Sequence, residues 1–471
     1  PLQAAGLFLF TSSTCILLVM WWLMPAAINF TGLHALPAFF ILLLLALIIA
    51  LPYALLGGLI VYKNWLDRPL GIVWVSAAFV VLISFYPSSL PGNYAHSLYT
   101  EPEFLQLLAI GGLPLLLFFV VAVNSTFTYC FLARRTGKKQ CLLFGAGGIC
   151  TVGLLWLFGA WQINQSASQT SAEQLKIGFI QPKLIREDSL GRLYRMTQEL
   201  VADNPDIDLL LWPEFPTEFS YLEDPYDKRN VDRLIRRLDK PLLFVSGYTY
   251  AGAVEGENES KKLAESAQLP RPYFNTAHFL NDKAQLLASY DKQVLVPFFE
   301  YIPYEATFPF LRALFPGTYQ YVPGSTSKTI RFNERINLVP LICYETVFPD
   351  LVHPFVESGG NIMINLTNDI WLGETDGSKY HFAMGMFRAV EHGMPWVRAT
   401  NSGVSGVVSA TGVMDPETLT PVMSQASKVA TVTVPQQRTF YSHSGDIFLY
   451  LLCVVFLIGL ILPSRGVRLS S

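Results

Sequence analysis

Apolar residues fall into two regimes along this chain. Up to about residue 163 they form long runs, near 6–24, 37–61, 70–86, 104–123 and 141–161, and a last run lies at 447–462. Each is close to the roughly 20 residues a helix needs to cross a hydrocarbon core, so the pattern predicts six membrane spans. Between 174 and 440 the apolar runs shorten to strand length. Lys176–Gln181, Leu209–Trp212, Leu242–Tyr250, Tyr273–Leu280, Ile336–Cys343, Asn361–Thr367 and Lys428–Val434 read as short strands. Arg192–Ala202 and Phe382–His392 carry helical spacing, and Ser405–Ser409 reads as one arm of a hairpin. This alternation predicts a layered α/β domain. The expected organisation is a five-span region over 1–163, a water-exposed domain over 174–440 and a C-terminal span over 447–463. A polar linker, Asn164–Glu173, joins the first two, and the polar stretch Glu255–Gln268 reads as a solvated surface loop.

Charge orients this arrangement. The 471 residues are 51% hydrophobic and 15% charged, with a mean hydropathy of +0.36. Soluble domains carry about 25% charged residues, so an ordinary cytosolic enzyme is excluded. Residues 1–62 hold no Asp, Glu, Lys or Arg. Lys63 and Arg68 follow the second run, Arg134, Arg135, Lys138 and Lys139 the fourth, and Arg465 and Arg468 the last. The loop after the third run carries only Glu101 and Glu103. Positive charge thus falls on alternate sides, which places the 174–440 domain on the outer side of the membrane. The first run lacks a basic flank and is followed by further spans, unlike a secretory signal. A net charge of −3 gives no reason to expect a nucleic-acid partner. The chain begins at Pro1, which suggests that an N-terminal piece precedes it.

Five of the six cysteines lie in or beside apolar runs; Cys343 alone belongs to the outer domain, with no disulfide partner there. No CxxC or HExxH spacing occurs, so neither a zinc site nor any other metal or cofactor is expected. Three segments place a reactive residue at the end of an apolar run: Leu209–Glu214, Tyr290–Pro303 and Leu338–Glu345. Strand ends of α/β layers are where side chains converge on a crevice. There Cys343 would attack as thiolate, Glu214 would move the proton, and Lys292 with the Tyr344 N–H would face the oxyanion. Each residue also has a plainer reading: Glu214 as a surface carboxylate, Lys292 as a solvated partner of Asp291, Cys343 as a core thiol.

Taken together, these segments resemble the nitrilase, or carbon–nitrogen hydrolase, superfamily and its Glu-Lys-Cys triad. The membrane runs and the words Trp-Pro-Glu214, Asp291-Lys-x-x-Leu-Val-Pro-Phe-x-Glu300 and Ile342-Cys-Tyr-Glu345 are similar to the apolipoprotein N-acyltransferases. So are Thr367-Asn-Asp-Ile-Trp-Leu-Gly373, His381-Phe, Arg388-Ala-Val-Glu391 and Arg398-Ala-Thr-Asn-Ser-Gly403. The resemblance implies an α-helical transmembrane bundle carrying an α-β-β-α nitrilase-like domain, in the bacterial inner membrane with the domain in the periplasm. A monomer is the default expectation, and the resemblance implies an acyltransferase that takes an acyl chain from a phospholipid, phosphatidylethanolamine, onto Cys343. The chain then passes to the α-amine of a diacylglyceryl-modified apolipoprotein. Glu300 is expected to support Lys292 or share the proton traffic, and Glu345 to be structural or chemical. Asn368, Trp371 and His381 are expected near substrate. Nine Phe or Tyr residues between Phe298 and Tyr321 read either as core or as an arm dipping into the headgroups.

The chain departs from the family where six spans replace the usual eight. It also lacks a Trp after Gln181-Pro182, and Tyr86–Asn93 stands in place of the family's aromatic words. Acceptor recognition and lipid entry are where those changes bear. The alternatives are a membrane-anchored amidase or paralogous acyltransferase with other substrates, and a non-catalytic envelope scaffold.

Overall fold

A backbone surrounded by lipid can satisfy its hydrogen bonds only within itself, and the apolar runs fold accordingly as helices. The computed structural model describes residues 1–31, 34–88, 92–133, 138–167, 173–183, 189–215, 220–250, 273–315 and 317–462. The N-terminal region comprises α1 (Leu2–Val19), α2 (Leu23–Thr31), α3 (Ala35–Lys63), α4 (Gly71–Ser84), the short α5 (Pro102–Leu105), α6 (Leu108–Ala133) and α7 (Lys138–Ala167). Among the described residues four helices, α1, α3, α6 and α7, are long and apolar enough to cross a membrane. The expected spans at 70–86 and 447–462 are helices of 14 and 15 residues, shorter than the roughly 20 needed to span unaided. The polar linker is also shorter than expected. With no Gly or Pro in Asn164–Ala167, α7 continues into it as far as Ala167, and the first strand begins at Glu173. The loop Glu255–Gln268 and the basic residues Arg134, Arg135, Arg465 and Arg468 lie outside the described residues.

The α/β domain is built on two sheets. The strands are β1 (Glu173–Gln181), β2 (Leu209–Glu214), β3 (Leu242–Tyr250), β4 (Tyr273–Leu280), β5 (Leu286–Asp291), β6 (Ile330–Arg331), β7 (Asn337–Ile342), β8 (Ile362–Thr367), β9 (Trp396–Thr400), β10 (Gly406–Val408) and β11 (Ala426–Val434). One sheet has the order β11-β1-β2-β3-β4-β5 and the other β10-β9-β8-β7-β6. The helices between them are α8 (Ser189–Asp203), α9 (Pro225–Leu238), α10 (Leu311–Leu314), α11 (Pro349–Glu357) and α12 (Gly377–His392). The chain closes with α13 (Phe440–Ser444) and α14 (Ile447–Ile461).

Side-chain alternation fixes the layers. Ile177, Phe179, Leu209, Leu211, Leu243 and Val245 face the second sheet and join its core. Their strand neighbours Ile180, Leu210, Trp212, Leu242 and Phe244 face the other way, against Val231, Leu234 and Ile235 of α9 and Leu193 of α8. Central strands buried on both faces read as continuous apolar runs for this reason. The result is the α-β-β-α sandwich expected of a nitrilase-like domain.

The sandwich is seated on the helical region through α12. Its Phe387 ring lies 4.7 Å from that of His96, which follows α4. Further along, α6 breaks at Gly111–Gly112, and the freed Leu113 N–H donates to Glu391 at 3.2 Å. At the far end of the bundle, Lys63 Nζ donates to the Leu460 and Leu462 carbonyls, capping the last helix with a cation.

Candidate active site

Three strands, two from one sheet and one from the other, end at one point. β2 delivers Glu214 as its last residue, Lys292 follows β5 directly, and Cys343 follows β7 as the first residue of a 3-10 turn. All three are buried. Lys292 Nζ lies 2.8 Å from Glu300 Oε1 and 3.8 Å from Glu214 Oε1. The structure therefore brings Glu214, Lys292, Glu300 and Cys343 into one cluster, with the Glu214 carboxyl and the Cys343 thiol close enough to shift each other's titration.

A residue that the sequence did not single out completes it. Asn275, buried in β4, donates from Nδ2 to Glu214 Oε1 at 2.7 Å and to Glu300 Oε1 at 3.1 Å. It tethers two carboxylates that would otherwise repel around one ammonium. Its backbone takes part as well, since Lys292 N–H donates to the Asn275 carbonyl at 2.9 Å. The remaining oxygens are satisfied by main-chain donors, Asn368 N to Glu214 Oε2 at 2.9 Å and Val296 N to Glu300 Oε2 at 2.8 Å.

Burial dominates the titration of these groups. It pushes the Glu214 carboxyl up, aided by Glu300 and opposed by Lys292 and Asn275. It pushes the Cys343 thiol up too, so the resting sulfur is protonated. Burial alone would lower Lys292, but Glu300 and Glu214 outweigh it and the amine stays charged. The site thus holds a charged ammonium and a neutral thiol, with a carboxyl group within reach of the nucleophile.

Glu345 has a supporting position. Its Oε1 accepts from the Tyr290 hydroxyl and the Gln293 and Val294 N–H groups, and its Oε2 from Ile342 N at 2.8 Å. It fastens the Lys292 loop to the strand that carries Cys343. Burial pushes its carboxyl up to about 7.

The three residues expected near substrate lie at different places. Asn368 meets the base through its backbone, while its side chain accepts from Asn401 and Ile370 N. Trp371 packs on Phe299, their ring centres 4.7 Å apart, at the foot of the aromatic segment. His381 sits behind the nucleophile, with Nε2 3.2 Å from the Cys343 carbonyl oxygen. The aromatic segment divides as well. Ile302 and Tyr321 are core, whereas Tyr304 and Phe310 are 77% and 62% exposed. Among the described residues, no group of three or more His, Cys, Asp or Glu side chains is placed to hold a metal ion.

The sequence pattern of the family described as "Carbon-nitrogen hydrolase" matches residues 245–444. The chain is 30% identical over 264 residues to an apolipoprotein N-acyltransferase of Geobacter metallireducens, covering 56% of this chain and 47% of that one. It is 29% identical over 413 residues to an apolipoprotein N-acyltransferase of Brucella suis, covering 83% of this chain and 70% of that one. The alignment thus spans about half of the first relative and somewhat over two thirds of the second. Among solved structures, a carbon–nitrogen hydrolase of Helicobacter pylori superposes with a TM-score of 0.40 at 15% identity, over 60% of this chain and 94% of that one. Residues 245–444 thus match the carbon–nitrogen hydrolase pattern, and the chain is similar to apolipoprotein N-acyltransferases over much of its length.

Proposed function

We propose that this chain is an N-acyltransferase that moves an acyl chain from a phospholipid, through a Cys343 thioester, to the α-amine of the diacylglyceryl-cysteine of apolipoproteins. The observation that carries this reading is the buried convergence of Glu214, Lys292 and Cys343 in a domain seated on apolar helices. The names of the relatives support lipoprotein N-acylation.

In the first half-reaction Glu214 takes the Cys343 proton as sulfur attacks the ester carbonyl. The oxyanion forms beside Lys292 and the Tyr344 N–H. Collapse breaks the bond to the glycerol oxygen, and Glu214 returns the proton to it, releasing a lysophospholipid. In the second half-reaction the lipoprotein amine attacks the thioester, Glu214 accepts its proton, and the C–S bond breaks. The thiolate recovers the proton and an amide is left. The ammonium matters in every step, because negative charge moves from carboxylate to sulfur to oxygen without leaving its neighbourhood.

Residues 1–163 and 447–463 form the membrane part and 174–440 the catalytic domain. The alternation of basic loops puts that domain on the periplasmic side of the bacterial inner membrane. The donor is phosphatidylethanolamine and the enzyme acts as a monomer.

Incubation of the full chain with phosphatidylethanolamine vesicles tests this by intact mass. The expected result is a hydroxylamine-sensitive acyl adduct, lost in Cys343→Ala and discharged by a diacylglyceryl lipopeptide. An adduct that lipopeptide leaves in place would point to another acceptor or to an amidase. No adduct on the folded wild type would remove phospholipid as donor.

A further inference from the structure

The nucleophile is held in a backbone conformation that a cysteine does not choose. Cys343 has a φ of 53°, in the left-handed region that residues with a Cβ avoid. Its carbonyl oxygen is fixed by two side-chain donors, Asn365 Nδ2 at 3.1 Å and His381 Nε2 at 3.2 Å. A trans peptide points its C=O and N–H in opposite directions. Drawing the Cys343 oxygen back onto this pair therefore turns the Tyr344 N–H the other way. That N–H belongs to the start of a helical turn, where donors have no partner inside the turn.

Both donors depend on how their own rings and amides are oriented, and one guanidinium decides both. Arg398 Nη1 donates to Asn365 Oδ1 at 2.9 Å, which leaves Nδ2 to face Cys343. Arg398 Nη2 lies 2.9 Å from His381 Nδ1. The Cys343 carbonyl can only accept, so Nε2 carries a hydrogen, and in the neutral ring Nδ1 then accepts from Arg398. Asp369 Oδ2 accepts from the same Nη2 at 2.7 Å and neutralises the guanidinium. Its Oδ1 lies 3.0 Å from His381 Nδ1, a contact that favours an imidazolium, while burial and Arg398 favour the neutral ring. Nε2 holds its hydrogen in either state. Arg398, Asn365 and Asp369 are buried, and a Cβ at Gly403 would come within 2.2 Å of Asp369 Oδ2.

We propose that Arg398 is a positioning residue for acyl transfer: through Asn365 and His381 it fixes the Cys343–Tyr344 peptide so that the Tyr344 N–H is presented to the oxyanion. This rests on Cys343 being the acyl acceptor, but on no particular donor. The test uses full-length protein in detergent with two probes of the same sulfur. p-Nitrophenyl butyrate acylates it through an oxyanion, and iodoacetamide alkylates it at a saturated carbon with none. In Arg398→Lys, which keeps the charge but loses the fork, the acylation burst should slow by about 10²-fold, the loss typical of one oxyanion donor. Its KM and the alkylation rate should stay near wild type. His381→Leu should behave alike, and His381→Gln, whose amide can donate from the same place, should restore most of the burst.

Acylation and alkylation falling together would overturn the proposal, as would an unchanged burst or a Gln variant no better than Leu. If Arg398→Lys does not fold, the two His381 variants decide. A wild-type ester burst without a phospholipid adduct would sink the donor assignment and leave this inference standing; no wild-type burst would overturn it.

Discussion

At the scale of single residues, the site is a problem of charge count. Glu214 and Glu300 share one ammonium, and Asn275 is the neutral donor that lets both carboxylates lie beside it. Asn275 lowers the affinity of Glu214 for a proton, against burial, which raises it. Removing the amide leaves burial and Glu300 less opposed, so the folded-state pKa of Glu214 rises further. A base must be ionised to act. In Asn275→Ala the acid limb of the pH profile for the acylation burst should therefore move to higher pH, with a rate loss of roughly 10-fold or more at neutral pH. An unmoved limb would mean that Glu214 is not the group that takes the thiol proton. The triad was legible in the sequence because Glu214 and Cys343 each follow an apolar run on their own strands, and Lys292 sits just past another. Asn275 was not. It lies inside the strand Tyr273–Leu280, and what makes it functional is two oxygens from residues 61 and 25 positions away.

Among elements, the joint between α6 and α12 carries the seating of the domain. A helix broken at Gly111–Gly112 exposes a new set of N–H groups, and Glu391 accepts one of them while paired with Arg388 at 2.6 Å. Gly112 has a φ of 62°, and a Cβ there would lie 2.4 Å from the Tyr441 ring, so the break needs glycine. Glu391→Ala should cost about 3–5 kcal/mol, the loss typical when one partner of a buried pair is removed. The unfolding midpoint of the detergent-solubilised protein would read it. The pH dependence separates the charge from the contact. Burial pushes the Glu391 carboxyl up from 4.5 to about 7, with Arg388 opposing. A raised folded-state value means stability is fully present below 4.5 and is lost as pH rises through 7. Wild type should therefore lose stability relative to Glu391→Gln over that window. A constant difference would place the ionised carboxylate at no net cost. None of this joint was readable beforehand. The strands announced themselves by runs of Val, Ile and Leu, but Glu391 looks like any polar residue on a helix until α6 is seen to break opposite it. The short β6 escaped for a related reason, since two residues of ladder leave no periodicity to count.

For the whole molecule, the proposed function constrains where the site must open. If its substrates are a phospholipid and a lipid-modified peptide, both reside in the bilayer and the entrance has to meet the membrane. The segment from Phe298 to Tyr321 is tied to the catalytic loop at its base, where Tyr321 N–H donates to the Glu300 carbonyl and Tyr319 N–H to that of Phe299. Its outer part instead shows Tyr304, Phe308, Phe310 and Leu314 to the surroundings. A contiguous apolar patch of this kind is stable only against something apolar. On its other side Phe299 packs on Trp371, whose turn lies against α2 of the helical region. The patch thus continues from the bundle to the catalytic cluster, as an entry lip for acyl chains would. Phe308→Asp with Phe310→Asp puts two carboxylates on that lip without touching Glu214, Lys292 or Cys343. With phosphatidylethanolamine vesicles the double variant should show an apparent KM raised by about 10-fold or more, since each buried aromatic contributes about 1.5–3 kcal/mol of transfer free energy. The burst with p-nitrophenyl butyrate, which arrives from water, should be unchanged. Equal losses with both probes would show that the segment supports the catalytic loop rather than the membrane contact. Unchanged turnover with vesicles would mean that lipid enters elsewhere, with the helical side of the site as the remaining route.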